Sequence, residues 1–290
     1  MNNSHQICPV CSTRKHTILQ GYEEHYLVKC KECRLVYSKS VPSHQALEHH
    51  YEGYARNDYL SPITIKRYNE ILDQFEPYRK TNRILDVGCG IGYFLEVAKK
   101  RGWEVYGTEY TDEAISICEE KDISMQKGDL HSDMFPAEHF DIVTAFEVIE
   151  HIAFPMEPLN ITYRFLRPGG GFYLTTPNFN SLLRRHLGAK WNVISYPEHL
   201  SYFTRHSLNY ALKTSGFKKK YIRAHGLSIT RLKTSKGTSK QKYISATSDD
   251  EKIRESFEKS RSKQLLKYII NQQLSLWGVG DSLKAFAIRK

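Results

Sequence analysis

No run of about 18 consecutive apolar residues occurs anywhere in the 290-residue chain, which excludes a membrane-spanning helix. The first residues, Met-Asn-Asn-Ser-His-Gln-Ile-Cys, lack a charged segment followed by an apolar one. No secretory leader is therefore expected, and the chain reads as a cytoplasmic protein. Acidic residues are scarce towards the far end. From Lys218 to Lys290 only 6 Asp and Glu accompany 18 Lys and Arg, a local +12 within an overall +10. A lysine-rich solvated face is the plain reading of that quarter; RNA, anionic lipid or a phosphorylated substrate would suit it as partners. Cysteine is sparse too, at six residues. Outside an oxidising compartment those thiols are not expected to form disulfides. What is present in quantity is apolar content, 40%, enough to fill one large domain plus a small one.

The chain is organised around Arg83-Ile-Leu-Asp-Val-Gly-Cys-Gly-Ile-Gly-Tyr-Phe94. A short apolar strand runs into Gly88, Gly90 and Gly92, and Phe94, Leu95, Val97 and Ala98 then follow a helical spacing. Strand, glycine turn and helix open a nucleotide-type α/β fold, in which glycines let a ligand lie against bare backbone. The dinucleotide fingerprint G-x-G-x-x-G does not fit, because the third glycine comes one residue early and Tyr93 stands where Gly is required. Onward from there, apolar strands alternate with helices, which implies a parallel sheet covered by helices. Strands are expected at about 83–87, 104–108, 123–126, 140–146, 172–176 and 282–288. Helices are expected at about 92–101, 111–121 and 156–166, with a lead-in helix starting at Ser61-Pro62 and another running from Ser248 to Trp277.

Two C-x-x-C pairs, Cys8 with Cys11 and Cys30 with Cys33, lie 18 residues apart. That is the spacing of a four-cysteine zinc site, closed to further ligands and so structural rather than catalytic. Thirty-odd residues bury too little to fold alone, so the metal would supply the folding energy. Ser12 and Arg34 stand where glycine often follows the second cysteine of such a turn. Cys89 and Cys118 read as packing residues. Residues 41–80 read as a linker and helical lead-in, with the aromatic stretch 49–54 either capping a pocket or packing under the zinc module. Residues 228–263 are poor in apolar groups and read as a flexible loop or insertion.

The motif Asp86-x-Gly88-x-Gly90-x-Gly92 resembles motif I of the class I S-adenosylmethionine (SAM) methyltransferases. Glu109, Asp129-Leu130, Phe146 to His151 and Leu166-Arg-Pro-Gly-Gly-Gly171 occur in that family's order and spacing. They look most like a bacterial branch with a "VIEH" segment, an "LxPGG" turn and an N-terminal zinc module. The resemblance extends to Trp191…Tyr196-Pro-Glu-His-Leu-Ser-Tyr-Phe-Thr204 and covers nearly the whole chain except about 228–275. It implies a Rossmann-like seven-stranded sheet at 81–290, with strands six (about 217–224) and seven antiparallel around an insertion at about 228–275, behind a zinc-ribbon-like module at 1–40. It also implies a cofactor site: Gly88, Gly90 and Gly92 against the methionine and ribose portions, Asp86 orienting their loop, and Glu109, with Tyr110 beside it, on the ribose hydroxyls. Asp129 would accept from the adenine amine beside Leu130, and Phe146 and Glu147 would lie near the sulfonium. S-adenosylhomocysteine would be the product.

A hydroxyl acceptor requires a general base, for which His199 and His151 are candidates, with Glu198 or Glu150 orienting the imidazole. Trp191, Tyr196 and Tyr202 either wall the acceptor or belong to the core. The Asn/Asp-Pro-Pro-aromatic motif of many amine methyltransferases is missing after strand four, and so is a cysteine nucleophile for carbon-5 methylation of cytosine. The leading expectation is O-methylation of a small molecule, anionic ones included: a sugar, a polysaccharide precursor or a secondary metabolite. An RNA methyltransferase using the zinc module and the 218–267 lysines is the second reading, and a non-catalytic zinc- and SAM-binding module the third. Oligomeric state is not encoded in any of these signals.

Overall fold

The computed structural model describes residues 3–43, 60–228 and 260–290, with positions 232, 234 and 235. The N-terminal segment is built from short strands: β1 (Asn3–Ser4), β2 (His16–Ile18), β3 (Leu27–Cys30), β4 (Val36–Ser38) and β5 (Ser40–Val41). β2 and β3 form a hairpin, β4 extends it, and β5 returns to pair with β1. Helix α1 (Pro62–Phe75) starts where Ser61-Pro62 predicts. The Ser61 hydroxyl accepts from the Ile63 N–H at 3.2 Å, and Pro62 fills a first-turn position that has no N–H partner to lose. The aromatic stretch 49–54 lies outside the described residues.

The chain continues through β6 (Arg83–Val87), α2 (Tyr93–Lys100), β7 (Glu104–Glu109), α3 (Asp112–Glu119), β8 (Ser124–Lys127) and β9 (Phe140–Phe146). Then come α4 (Met156–Phe165), β10 (Leu166–Pro177), α5 (Leu182–Leu187), β11 (Ser201–Tyr202), α6 (Arg205–Thr214), β12 (Lys218–His225), α7 (Arg261–Trp277) and β13 (Ser282–Ile288). The central sheet has the order β12-β13-β10-β9-β6-β7-β8. β13 runs antiparallel to both neighbours and the other pairs are parallel. This is the Rossmann-like seven-stranded fold implied by the motif series. One expectation needs correction. The Leu166–Gly171 glycine turn belongs to β10 itself, as a bulge in the pairing with β9; a Cβ on Gly170 would come within 2.9 Å of the Asp141 and Arg167 carbonyl oxygens. The start expected at Ser248 lies outside the described residues; the helix they show, Arg261–Trp277, ends at Trp277 as expected.

Strand alternation divides the core into two layers. Ile84, Ile142, Tyr173 and Phe286 face α1 and α2, meeting Leu72, Phe75, Phe94 and Leu95. Leu85, Val87, Val143, Leu174 and Ala285 face the other way, onto α4 and α6. The N-terminal segment joins that second layer through Val28, Leu35 and Tyr37.

At the amino end of the sheet, Asp141 fastens three connections. Its Oδ2 accepts the backbone N–H groups of Lys80, Thr81 and Asn82 at 2.7–2.9 Å, and its Oδ1 accepts Arg167 Nε–H at 2.5 Å. The carboxylate is fully buried, and those donors together with the guanidinium hold its pKa below the usual range against the cost of burial. Asp141→Ala would strand a buried guanidinium and three N–H groups, so urea unfolding should show a loss of about 3–5 kcal/mol.

Candidate functional site

The three glycines of the 88–92 loop serve different ends. A Cβ on Gly88 would meet Val148 at 2.8 Å, and one on Gly92 would meet Ile123 at 2.6 Å, so both sites are closed by packing. A Cβ on Gly90 would meet nothing within 4 Å, although its φ of +55° favours glycine. The open side of the loop is therefore at Gly90. Asp86 lies behind it, buried, and its Oδ1 accepts from Thr144 Oγ1 at 2.7 Å. Burial raises the Asp86 pKa to about 7; the Thr144 hydrogen bond opposes the rise and the Glu109 charge adds to it.

Glu109, at the end of β7, is tied to the loop. Its Oε2 accepts Gly90 N–H at 2.8 Å and its Oε1 accepts Tyr110 N–H at 2.7 Å. Each oxygen keeps a second lone pair, the number a vicinal diol requires. Gly128 N–H donates to the Glu109 carbonyl at 2.8 Å, which brings exposed Asp129 and buried Leu130 to the next strand end. Phe146 and Glu147 follow β9, one strand to the other side of β6. Glu147 has φ +54°, a strained conformation for a non-glycine residue. The structure thus gathers the predicted cofactor residues at the carboxyl ends of four adjacent parallel strands, the position where open α/β sheets bind ligands. Sequence reasoning missed Thr144 and Tyr68. Thr144 is read from alternation with Ile142 as an inward polar residue; Tyr68 packs edge-on against Phe94 and at a tilt against Phe146 yet looks like one more apolar position of α1.

His151 and His199 meet with ring centroids 4.6 Å apart. His151 Nδ1–H donates to the Glu198 carbonyl at 3.0 Å, and His199 Nδ1–H to the Val193 carbonyl at 2.7 Å. A carbonyl only accepts, so in both rings Nδ1 carries the proton in these contacts. One ligating atom from each ring and one Glu150 carboxylate oxygen lie within 4.8 Å of one another. Burial, then the neighbouring His199 charge, pushes the His151 pKa down to about 4. The Glu198 carbonyl accepts from His151, its charge opposes the lowering of the His151 pKa, and its carboxylate accepts from Ser195 Oγ at 3.1 Å. Trp191 and Tyr202 are 1% and 3% exposed and belong to the core of the 178–204 segment. Tyr196 bonds Ser40 Oγ at 2.9 Å and packs edge-on against Tyr26.

The four N-terminal cysteines converge. Cys8 and Cys33 Sγ are 3.5 Å apart, Cys11 and Cys30 3.4 Å, and all four lie within 4.8 Å of one another. Disulfides would be near 2.0 Å. A tetrahedral ion with bonds of about 2.3 Å places sulfurs roughly 3.8 Å apart, so the donor set fits zinc. Ser12 (φ +57°) and Arg34 (φ +63°) adopt the left-handed conformation that glycine would take. Cys118 is buried and donates to the Gly90 carbonyl at 3.3 Å, consistent with a packing role.

A methyltransferase-domain family matches residues 56–221. Curated relatives named ubiquinone biosynthesis O-methyltransferase include one from Azoarcus sp., 29% identical over 38% of this chain and 51% of its own length. Another, from Aromatoleum aromaticum, is 34% identical over 38% and 50%. The chain therefore spans about half the length of the curated relatives it matches. Among solved structures, a SAM-dependent methyltransferase from Archaeoglobus fulgidus superposes with a TM-score of 0.52 and 21% identity. It covers 85% of this chain and 100% of its own, which establishes a shared fold.

Because its folded pKa is raised, Asp86 costs stability as pH climbs from the unfolded value towards 7, and the cost then levels off. Asp86→Asn removes it. Thermal unfolding should show the variant gaining roughly 2–3 kcal/mol relative to wild type between pH 5 and 7.5, with no further gain above.

Proposed function

The chain belongs to the methyltransferase-domain family, and from that premise we propose that it transfers a methyl group from SAM to a hydroxyl of a small molecule. The observation that carries the reading is the glycine loop: open at Gly90, closed by packing at Gly88 and Gly92, and fastened to Glu109. When bound, SAM supplies an electrophilic methyl group on a sulfonium. Glu109, with Tyr110 beside it, would hold the ribose hydroxyls, Asp129 the adenine amine against Leu130, and Asp86 the loop itself. Phe146 and Glu147 would lie beside the sulfonium.

The acceptor proton would go to His199 Nε2. His151 is held neutral by burial, so it serves better as a fixed neighbour than as the base. O-methylation also agrees with the printed names of the curated relatives. In this reading the four cysteines hold a structural zinc ion, and the module it folds braces the histidine pair. β11 pairs with β4 (Ser201 with Tyr37, Tyr202 with Val36), while Leu200 and Ser201 N–H donate to the Glu150 carbonyl at 2.8 and 2.9 Å.

Two measurements test this. Labelled methyl from SAM should pass to a small-molecule fraction, and His199→Asn should lower turnover by roughly 10²–10⁴-fold without changing S-adenosylhomocysteine affinity. Unchanged turnover would remove His199 from its role. Purified protein should carry about one equivalent of zinc, lost in Cys30→Ser together with turnover but not with cofactor binding. Zinc below half an equivalent in wild type would count against the site.

A further inference from the structure

Two cysteines outside the N-terminal module meet behind the cofactor loop. Cys89 lies in that loop between Gly88 and Gly90, and Cys118 lies on α3. Both are free thiols, Cys118 buried and Cys89 half-buried. Their sulfurs face one oxygen: the Gly90 carbonyl is 3.3 Å from Cys118 Sγ and 3.6 Å from Cys89 Sγ. The two side chains also interact directly. Hydrogen bonding with Cys89 lowers the Cys118 pKa, burial opposes the change and the Lys121 charge adds to it. The same hydrogen bonding, then burial, raises the Cys89 pKa. The Gly90 peptide is therefore held at both ends, its N–H by Glu109 and its carbonyl by the thiols. Packing beside them is tight, because a Cβ on Gly92 would come within 3.0 Å of Cys118 Sγ.

We propose that Cys89 and Cys118 form a peroxide-sensitive dithiol whose oxidation to a disulfide displaces the cofactor loop. The inference rests on the methyltransferase reading, since it makes SAM binding the regulated step. Outside oxidising compartments, disulfides are transient and redox-sensing rather than structural. Sensing pairs combine a thiol of lowered pKa with a resolving thiol beside it. Here the Cys118 thiolate attacks hydrogen peroxide, giving Cys118 sulfenic acid and hydroxide. Cys89 then attacks that sulfur, and the sulfenic hydroxyl leaves with the Cys89 proton as water. Two thiols and one peroxide thereby become one disulfide and two waters, the sulfurs losing the two electrons that the peroxide oxygens gain. The new bond draws the sulfurs to about 2.05 Å, well inside any thiol contact, and takes both S–H groups from the Gly90 carbonyl. Gly90 is the open position of the loop, so its displacement reaches the ligand's space directly.

The test treats zinc-loaded, full-length protein with hydrogen peroxide and quenches it with catalase. S-adenosylhomocysteine affinity is then measured by calorimetry, zinc release with a chromogenic chelator, and cross-links by peptide mass mapping. Wild type should show Cys89 joined to Cys118, keep its zinc and bind S-adenosylhomocysteine about tenfold or more weakly. Dithiothreitol should restore binding. Cys118→Ser, which keeps a donor for the Gly90 carbonyl, should hold its affinity through the same treatment. Three results overturn the proposal: Cys89 and Cys118 left unlinked; a cross-link with unchanged affinity; or a loss of affinity that accompanies zinc release or persists in Cys118→Ser. If Cys118→Ser does not fold, the peptide map and the dithiothreitol reversal in wild type decide alone. A protein that fails to bind S-adenosylhomocysteine before treatment would defeat the methyltransferase reading, and the peptide map would still report on the cysteine pair.

Discussion

Ser201 and Tyr202 belong to two structures at once, and the arrangement of the histidine pair depends on them. On one side they complete the four-stranded sheet of the cysteine-bearing module by pairing with β4. On the other, Leu200 and Ser201 donate to the carbonyl of Glu150, immediately before His151. His199 is carried on the same short segment. The four-cysteine module therefore reaches the histidine pair through backbone hydrogen bonds, which resist deformation better than side-chain contacts do. A module too small to fold on its own apolar surface would become a rigid support if a metal closed its four cysteines.

The cofactor end is held differently. Two of its glycines are demanded by neighbouring side chains, and the third leaves room beside bare backbone. Glu109 bridges the loop to β7 and retains acceptor capacity on both oxygens. Behind them, burial, opposed by the Thr144 hydrogen bond and reinforced by the Glu109 charge, pushes the Asp86 pKa up to about 7. Asp141 shows the contrast within one sheet: a carboxylate equally hidden from water, yet held ionised by three N–H groups and a guanidinium. One acid sits where a ligand would come and the other where only the fold needs it.

Strand ends, caps and the cysteine pairs were legible because each rests on residues close together in the chain. β6, β9 and β13 have the bounds that their apolar runs and flanking turns predict, and Ser61-Pro62 marks its helix start. The 166–171 turn was less legible: Leu-x-Pro-Gly-Gly suggests a break, and only the carbonyls of Asp141 and Arg167 show why glycine is needed inside a continuing strand. Trp191 and Tyr202 gave no sign of their choice between pocket and core, since the partners that bury them come from the distant N-terminal segment. That the Glu198 carbonyl, and not only its charge, meets His151 is a distinction that sequence does not carry.

The central claim is that the glycine loop and Glu109 cradle SAM, and it is tested most directly by calorimetric titration of S-adenosylhomocysteine into wild type and Gly90→Arg. Gly90 is the position for this comparison because its Cβ direction is open, so the arginine fills the ligand's space rather than the protein's. The account predicts one-to-one binding by wild type and its loss in the folded variant. Equal binding by both proteins, or none by wild type carrying its metal, would contradict it.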